Sequence, residues 1–191
     1  MNTNNSGSKT GLYIVLGVVV VLVLWFIVTN NSLVGAVTDV ETDRANLEAC
    51  YQERADLIPN LVATVQGAAN HEEQIITTIT ESRAALQKAI DSNDLQGMDE
   101  ANETLKESIN VLVEAYPEVT ATQAFISLQD QLEGQENRIR VARKEYSKTV
   151  GVYNRKIKSF PTSIVANMKG YEPMEYFEAT EGSENAPTVS F

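Results

Sequence analysis

Cysteine and histidine, the side chains that most often bind metals or supply a nucleophile and its base, occur once each in this 191-residue chain, as Cys50 and His71. Glu72 and Glu73 follow His71, which makes this tripeptide a candidate metal site. Di-iron bundles need two Glu-x-x-His elements with further glutamates, and zinc sites need several Cys or His ligands, so one histidine completes neither set. We therefore interpret the tripeptide as solvated helix surface. Cys50 is interpreted as a small packed residue, with an intermolecular disulfide as the alternative.

Other catalytic arrangements are also missing from the sequence. It contains no Ser-His-Asp set and no glycine-rich phosphate-binding loop. The sequence therefore predicts a protein that is not an enzyme and that binds no metal or other cofactor. The distribution of charged residues along the chain is more informative, because it indicates contacts between acidic and basic protein surfaces.

The net charge of −11 is unevenly distributed. Residues 39–136 contain 20 acidic and 5 basic side chains, 137–169 contain 9 basic and one acidic, and 170–191 contain five glutamates and no base. We predict no nucleic-acid partner, because the chain is acidic overall and its basic stretch lacks a recognisable aromatic module. The basic side chains are expected to pair with the acidic 39–136 region, within one bundle or on an adjacent subunit; an anionic membrane surface is the alternative. They include Arg138, Arg140, Arg143, Lys144, Lys148, Arg155, Lys156 and Lys158.

An apolar segment near the N-terminus predicts a transmembrane helix over residues 10–32. No charged residue occurs from Thr10 to Thr38, and an apolar run of about 20 residues spans the hydrocarbon core of a bilayer. A cleaved signal peptide is the alternative, but this run is longer than a typical signal-peptide core, and only Lys9 supplies a basic flank. The residues taken to mark the span are Leu12, Tyr13, Val18, Leu22, Trp25 and Val28.

Apolar residues at spacings of three and four predict long helices after the span. The first continues out of the membrane to about Tyr51, and a second follows, with Asp56 as its N-cap and Pro59 in its first turn, as far as Ile90. Polar residues 91–94 interrupt the pattern, Tyr116-Pro117 ends a third helix, and the last helix covers about 36 residues before Phe160-Pro161. We predict an all-α fold: a short polar segment (1–9), the span (10–32), an antiparallel up-down bundle (33–169) and an extended acidic tail (170–191).

Several motifs resemble those of the LemA family. They are Arg54-Ala55-Asp56-Leu57-Ile58-Pro59-Asn60-Leu61-Val62, Glu114-Ala115-Tyr116-Pro117, Phe125-Ile126-Ser127-Leu128-Gln129, Glu136-Asn137-Arg138-Ile139, Ala142-Arg143 with Tyr146, Tyr153-Asn154, Phe160-Pro161 and the ending Pro187-Thr188-Val189-Ser190-Phe191. The chain departs from the family pattern at four places: Arg44 replaces a usual Trp, Glu53-Arg54 a usual Arg pair, Ser147 a usual Asn, and Val119-Thr120 a usual Leu-Lys.

The resemblance implies a bacterial protein with one N-terminal span, an antiparallel helical domain and no established enzymatic activity. We expect it in the cytoplasmic (inner) membrane. The positive-inside rule, acting through Lys9 before the span, predicts a cytoplasmic N-terminus and an extracytoplasmic bundle.

The motif residues are interpreted as structural first and as contact surface second. Arg54 and Asp56 are predicted to fix the first interhelical turn through a cap and an ion pair. Asn137 and Arg138 are predicted to lie buried in a network with acidic residues of neighbouring helices. The full candidate set is Arg54, Asp56, Pro59, Asn60, Tyr116, Pro117, Asn137, Arg138, Arg143, Tyr146, Tyr153, Asn154, Phe160 and Pro161.

The C-terminal residues Val189 and Phe191 alternate with polar neighbours, which predicts that the chain end docks on the bundle or on a neighbouring subunit. Taken together, the sequence predicts a membrane-anchored scaffold that forms a homo-oligomer and contacts other membrane proteins. The alternative is a sensory or adaptor module that passes a signal to a separate membrane partner.

Overall fold

The computed structural model describes residues 6–66 and 73–177, whose backbone forms six α-helices followed by irregular chain at 171–177. The helices are α1 Ser6–Gln66, α2 Glu73–Asp91, α3 Leu95–Ala115, α4 Pro117–Thr120, α5 Gln123–Lys158 and α6 Thr162–Lys169. Within these described ranges there is no strand, so the predicted all-α fold is confirmed.

The described residues divide into two compact units. The first unit comprises residues 6–41 and 149–175, and the second comprises 42–66, 73–148 and 176–177. Helices α1 and α5 therefore contribute residues to both units.

The first unit contains the predicted membrane segment. The part of α1 from Gly11 onward is long and apolar enough to cross a membrane, and the side chains of residues 11–24 are all exposed. Such a continuous apolar surface is suited to lipid rather than water. Exposure falls at Trp25 and Phe26, and Thr29 is buried. The buried apolar residues of this unit are Leu33, Ala36, Val40, Val150, Tyr153, Ile157, Val165 and Ala166.

The second unit is an antiparallel helical bundle. Helices α2 and α3 form a hairpin, and α5 runs antiparallel to α1 because Tyr51 contacts Arg143 while Arg54, one turn later, contacts Glu136. The predicted stripes supply most of its core, which includes Leu47, Tyr51, Ile58, Leu61, Val65, Ile79, Leu86, Met98, Leu105, Leu112, Phe125, Leu132 and Ile139. The up-down arrangement is thus confirmed for this unit.

Local sequence signals explain most helix ends. The carboxylate of Asp94 accepts a hydrogen bond from the Gly97 N–H at 3.0 Å and caps α3. A side chain at Gly97 would place its Cβ 2.5 Å from Asp94 Oδ2 and would displace the capping carboxylate, so glycine at this position preserves the cap. The polar break at 91–94 and the stop before Pro117 are confirmed, because α2 ends at Asp91 and α3 ends at Ala115.

The predicted interhelical turn at Arg54–Asp56 is wrong. Helix α1 continues through Pro59 to Gln66, and the predicted second helix is divided between the end of α1 and α2. Pro59 has no N–H to bond the carbonyl of Ala55, and proline normally weakens a helix interior for this reason. Here Nε of Arg83 on α2 donates to the Ala55 carbonyl oxygen at 2.9 Å. A side chain from a neighbouring helix therefore replaces the missing backbone donor.

Replacing Arg83 with Met is expected to cost about 1–2 kcal/mol of stability, because the carbonyl oxygen of the buried Ala55 loses its donor. The same substitution in a Pro59→Ala background is expected to cost less, since the restored N–H of residue 59 takes over that carbonyl. Thermal unfolding of the four proteins in detergent, followed by circular dichroism, measures the coupling. Equal costs in both backgrounds would contradict this account of how α1 tolerates Pro59.

Candidate functional site

Polar side chains gather in the core of the second unit at three helices. Tyr51 and Arg54 lie three residues apart on α1, as do Asp99 and Asn102 on α3, so each pair shares a helix face. Glu136 and Arg143, seven residues apart, come from α5. We call these six residues the polar core: Tyr51, Arg54, Asp99, Asn102, Glu136 and Arg143.

The polar core has two levels along the bundle axis. The first level consists of Tyr51, Asp99 and Arg143 and joins all three helices. The guanidinium of Arg143 forms an ion pair with Asp99, and Arg143 Nε donates a hydrogen bond to the Tyr51 hydroxyl oxygen at 3.0 Å. The Tyr51 hydroxyl in turn lies 3.5 Å from Asp99 Oδ1, at the limit of a hydrogen bond. Asp99 is only 10% exposed, and its charge is therefore balanced inside the protein rather than by water.

Two aromatic rings complete the surroundings of Arg143. Its guanidinium carbon lies 5.7 Å from the centre of the Tyr51 ring and 4.9 Å from that of Phe177, distances typical of cation–π contacts. Phe177 also packs against the apolar core of this unit. The last residue of the described chain is therefore held by the polar core.

Burial raises the pKa of Tyr51 from its ordinary value of 10.0 to about 12, although the neighbouring Arg143 acts in the opposite direction. The folded protein thus holds this phenolic proton more tightly than the unfolded chain does. The resulting contribution to stability is complete below pH 10 and is lost as the pH rises toward 12.

Raising the pH from 10 to 12 is expected to remove about 2 kcal/mol of stability from the wild-type chain through Tyr51, a loss that a Tyr51→Phe variant does not show. The measurement compares thermal unfolding of the wild-type and Tyr51→Phe chains across this pH range. Other tyrosines and lysines titrate in both proteins, so only the difference between the two curves reports on Tyr51. Parallel curves would contradict the burial argument.

The second level of the polar core borders a cavity of about 150 Å³. Arg54, which is 3% exposed, forms an ion pair with Glu136, and both residues line the cavity. Arg54 Nε has no hydrogen-bond partner among the residues described. Ile109, Val113, Phe125 and Leu132 supply the apolar lining, and Lys106, Asn110, Gln129 and Glu133 supply the remaining polar lining.

Asn102 occupies an unusual position in the polar core. It is fully buried, yet neither its amide oxygen nor its amide nitrogen is hydrogen-bonded within the described part of the chain. Helices α1 and α3 run in the same direction in the up-down bundle, and the contact of Tyr51 with Asp99 sets an offset of 48 residues. The same offset places Asn102 at the level of Arg54, so the two residues with unmatched polar atoms lie at one level of the bundle.

Comparison with known protein families gives a match over most of the chain. The profile of the LemA family matches residues 43–191, which include the whole described part of the second unit except its first residue. The chain belongs to the LemA family.

The relatives of this LemA-family chain are distant but cover most of its length. It is 19% identical over 179 residues to Protein LemA of Metamycoplasma hominis, covering 92% of this chain and 82% of the relative. It is 23% identical over 186 residues to Magnetosome protein MamQ 2 of Paramagnetospirillum magneticum, covering 84% and 68%. Together with the exposed apolar part of α1, these relatives indicate a membrane protein.

The candidate motif residues fall into four groups by their place in the fold. Arg54 and Arg143 enter the polar core, while Tyr116 and Tyr146 are buried. Tyr153 and Asn154 hold the irregular chain after α6. The remaining candidates lie at the surface: Asp56, Pro59, Asn60, Pro117, Asn137, Arg138, Phe160 and Pro161.

The predicted burial of Asn137 and Arg138 is wrong, because both are exposed beside the buried Ile139. Arg138 does contact an acidic residue of a neighbouring helix, with its Nη1 3.1 Å from Glu53 Oε2, as predicted. Asn137 accepts a hydrogen bond from Arg140 at 2.5 Å. Both residues therefore act at the surface of α5 rather than in a buried network.

Residues Asp99, Asn102 and Arg83 were not predicted, although each contributes a buried or partly buried polar group. Asp99 and Asn102 each follow an apolar stripe residue of α3, a weak signal that a polar residue lies on the core-facing side. The role of Arg83 could not be predicted from local sequence, because it depends on Pro59 of another helix.

The other candidate chemistry adds little to the site. Cys50 is half-buried against the core, and burial raises the pKa of its thiol, which fits the predicted packed residue. No cluster of three or more potential metal ligands occurs among the described residues. The side chains of His71–Glu73, and Val189 and Phe191 of the predicted docking end, lie outside the described residues.

Proposed function

We propose that this LemA-family protein is a membrane-anchored helical scaffold that acts through self-association and contacts with other proteins. The observation that carries the proposal is the separation of exposed charge on the second unit. Lys144 and Lys148 of α5 are exposed and form no ion pair within the described ranges. Helices α2 and α3 instead expose acidic side chains: Glu81, Asp91, Glu100, Glu107 and Glu114.

These two surfaces are complementary between copies anchored in the same bilayer. The ion pairs of the polar core already neutralise Arg54, Arg143, Asp99 and Glu136 inside one copy. The exposed lysines of α5 remain available to the acidic α2–α3 surface of a neighbour. Because such contacts are solvent-exposed, their attraction decreases as salt screens it.

The mass of the full-length chain in mild detergent, measured at low and high salt, tests this proposal. We expect oligomers at low salt that dissociate at high salt, and we expect Lys144→Glu with Lys148→Glu to weaken them. Lys88→Glu is the matched control, because it reverses an exposed positive charge on the acidic α2 instead. A monomer at low salt, or equal effects of both charge reversals, would reject self-association through these surfaces.

The cavity favours a second candidate, a sensory or adaptor module. A small polar ligand that accepts a hydrogen bond from Arg54 Nε would satisfy an atom without a described partner and would change the packing of α1, α3 and α5. Such a module needs a separate membrane partner to pass on the signal. Co-purification of one stoichiometric membrane protein, lost when Arg54 is replaced by Met, would favour this candidate over the scaffold.

We further propose that the protein catalyses no reaction of its own and binds neither a cofactor nor nucleic acid, because the ionisable side chains of the polar core pair with one another between helices. We place it in the inner membrane of a bacterium with the bundle outside the cytoplasm, from the bias of Lys9. Protease treatment of intact spheroplasts tests the orientation, and a bundle left uncut there but cut after lysis would contradict it.

A further inference from the structure

We propose that residues 160–169, comprising the Phe160-Pro161 turn and α6, lie in the membrane interface beside the apolar part of α1. Their apolar side chains would enter the acyl boundary, and the neighbouring basic side chains would contact the phosphates of anionic lipid headgroups. This inference rests on the membrane segment alone and not on self-association, so the two proposals can fail independently.

The contact between α5 and α1 places the start of α6 near the apolar segment. Lys156 Nζ donates a hydrogen bond to the carbonyl oxygen of Ser32 at 2.6 Å, four residues beyond Val28, where the apolar run ends. Helix α5 runs antiparallel to α1, so residues after Lys156 lie toward the apolar end of α1. The same register places Lys158, the last residue of α5, level with Asn30, and the Phe160-Pro161 turn begins two residues later. The half-buried Trp25 and Phe26 and the buried Thr29 show that one side of α1 is covered at this end of the apolar segment.

The segment 160–169 exposes large apolar side chains. Phe160 is 83% exposed, Met168 72% and Ile164 47%, although all three are large and apolar. Ile164 and Met168 are spaced by four residues and so share one side of α6, while Val165 and Ala166 face the protein interior. Phe160 lies in the turn directly before that helix. An amphipathic helix of this kind lies in the plane of a bilayer interface with its apolar side toward the acyl chains.

The charges around the segment fit the same surface. Arg155, Lys158 and Lys169 flank it and are exposed. The acidic residues that follow lie on chain that returns along α5, since the Glu172 carbonyl accepts from the Tyr153 hydroxyl at 2.8 Å. Basic side chains are therefore concentrated where the apolar segment leaves the membrane. Anionic lipids attract such residues within a Debye length.

A bilayer is favoured over a protein partner because the exposed apolar side chains continue the surface of α1 that must itself face lipid. The Phe160-Pro161 turn follows the end of α5 at the level of Asn30, and Val28, at the end of the apolar run, is 67% exposed. Whatever covers the exposed side chains of Phe160, Ile164 and Met168 must therefore lie beside lipid. The acyl chains of the bilayer can cover them without a further protein.

Spin labels on the full-length chain in nanodiscs containing phosphatidylglycerol test the proposal. The label is placed at Met168→Cys or Phe160→Cys in a Cys50→Ala background, and Val111→Cys on α3 is the matched control, because Val111 is an exposed apolar residue of the second unit. We expect the ratio of oxygen accessibility to water-soluble nickel accessibility to be several-fold higher at 160 and 168 than at 111, since oxygen concentrates in lipid.

Two results would overturn the insertion. Nickel accessibility at 160 and 168 equal to that at 111 would show that the segment lies in water. Low accessibility to both reagents would show that protein, such as a second copy, covers it. The headgroup contacts have a separate test: Arg155, Lys158 and Lys169 replaced together by Gln should raise nickel accessibility at 168, and an unchanged value would remove the charge contribution from the proposal.

Discussion

Replacing Asp99 with Leu is expected to lower the melting temperature of the protein by about 10 °C, the largest effect predicted for a single residue. The substitution removes the buried carboxylate that balances Arg143 and leaves that guanidinium partly buried without its counter-charge. Breaking a buried ion pair from one side costs about 3–4 kcal/mol, and each kcal/mol shifts the melting temperature of a chain of this size by roughly 2–4 °C. Circular dichroism of the full-length chain in detergent measures the change.

Two variants identify the cause. In the double variant Asp99→Leu with Arg143→Met, most of the lost stability should return, because no unbalanced charge remains in the core. Arg138→Met is the matched control: its ion pair with Glu53 is exposed, so its removal is expected to cost less than about 1 kcal/mol. An equal loss for Asp99→Leu and Arg138→Met would show that burial of the polar core contributes nothing.

Replacing Asn154 with Ala is expected to release the irregular chain after α6. The Asn154 amide donates to the Met174 carbonyl oxygen at 2.7 Å and accepts from the Met174 N–H at 2.9 Å, so it satisfies both backbone groups of one tail residue. Losing both bonds costs about 3 kcal/mol, which corresponds to a roughly hundredfold more frequent opening of residues 171–175. The rate of limited proteolysis in this segment measures the opening.

Controls separate the docking of the tail from general destabilisation. Tyr153→Phe removes only the hydroxyl that donates to the Glu172 carbonyl, so a smaller increase, of about tenfold, is expected. Asn137→Ala changes an exposed asparagine of the same helix and should leave the tail protected. If Asn154→Ala and Asn137→Ala give the same cleavage rate, the two hydrogen bonds to Met174 do not hold the tail.

Much of the fold follows from local patterns in the sequence. Apolar spacing identified the core faces of α1, α3 and α5, and the stops at Asp91 and Ala115 follow from polar turn residues and from Pro117. These features are predictable because helix periodicity and helix ends depend on residues within one or two turns.

The turn predicted before Pro59 is wrong because the continuation of α1 depends on a contact with another helix. Asp56 followed by Pro59 is a normal start signal for a helix, and a local interpretation places a turn there. Helix α1 nevertheless continues, because Arg83 reaches the Ala55 carbonyl from another helix. The burial of Asn137 and Arg138 was wrong for a related reason: the same α5 sequence can turn slightly different faces toward its neighbours.

The sequence by itself determined the membrane segment, the all-α class, the segregation of charge and the family, because each depends on composition or on short-range spacing. The tertiary structure alone decided that Asp99 pairs with Arg143, that Asn102 is buried at the level of Arg54, and that the Phe160–Met168 side of α6 stays uncovered. The contacts behind these features join residues far apart in the sequence: 92 positions separate Tyr51 from Arg143, and 124 separate Ser32 from Lys156. Their partners are fixed by the register and rotation of packed helices, which no local pattern encodes.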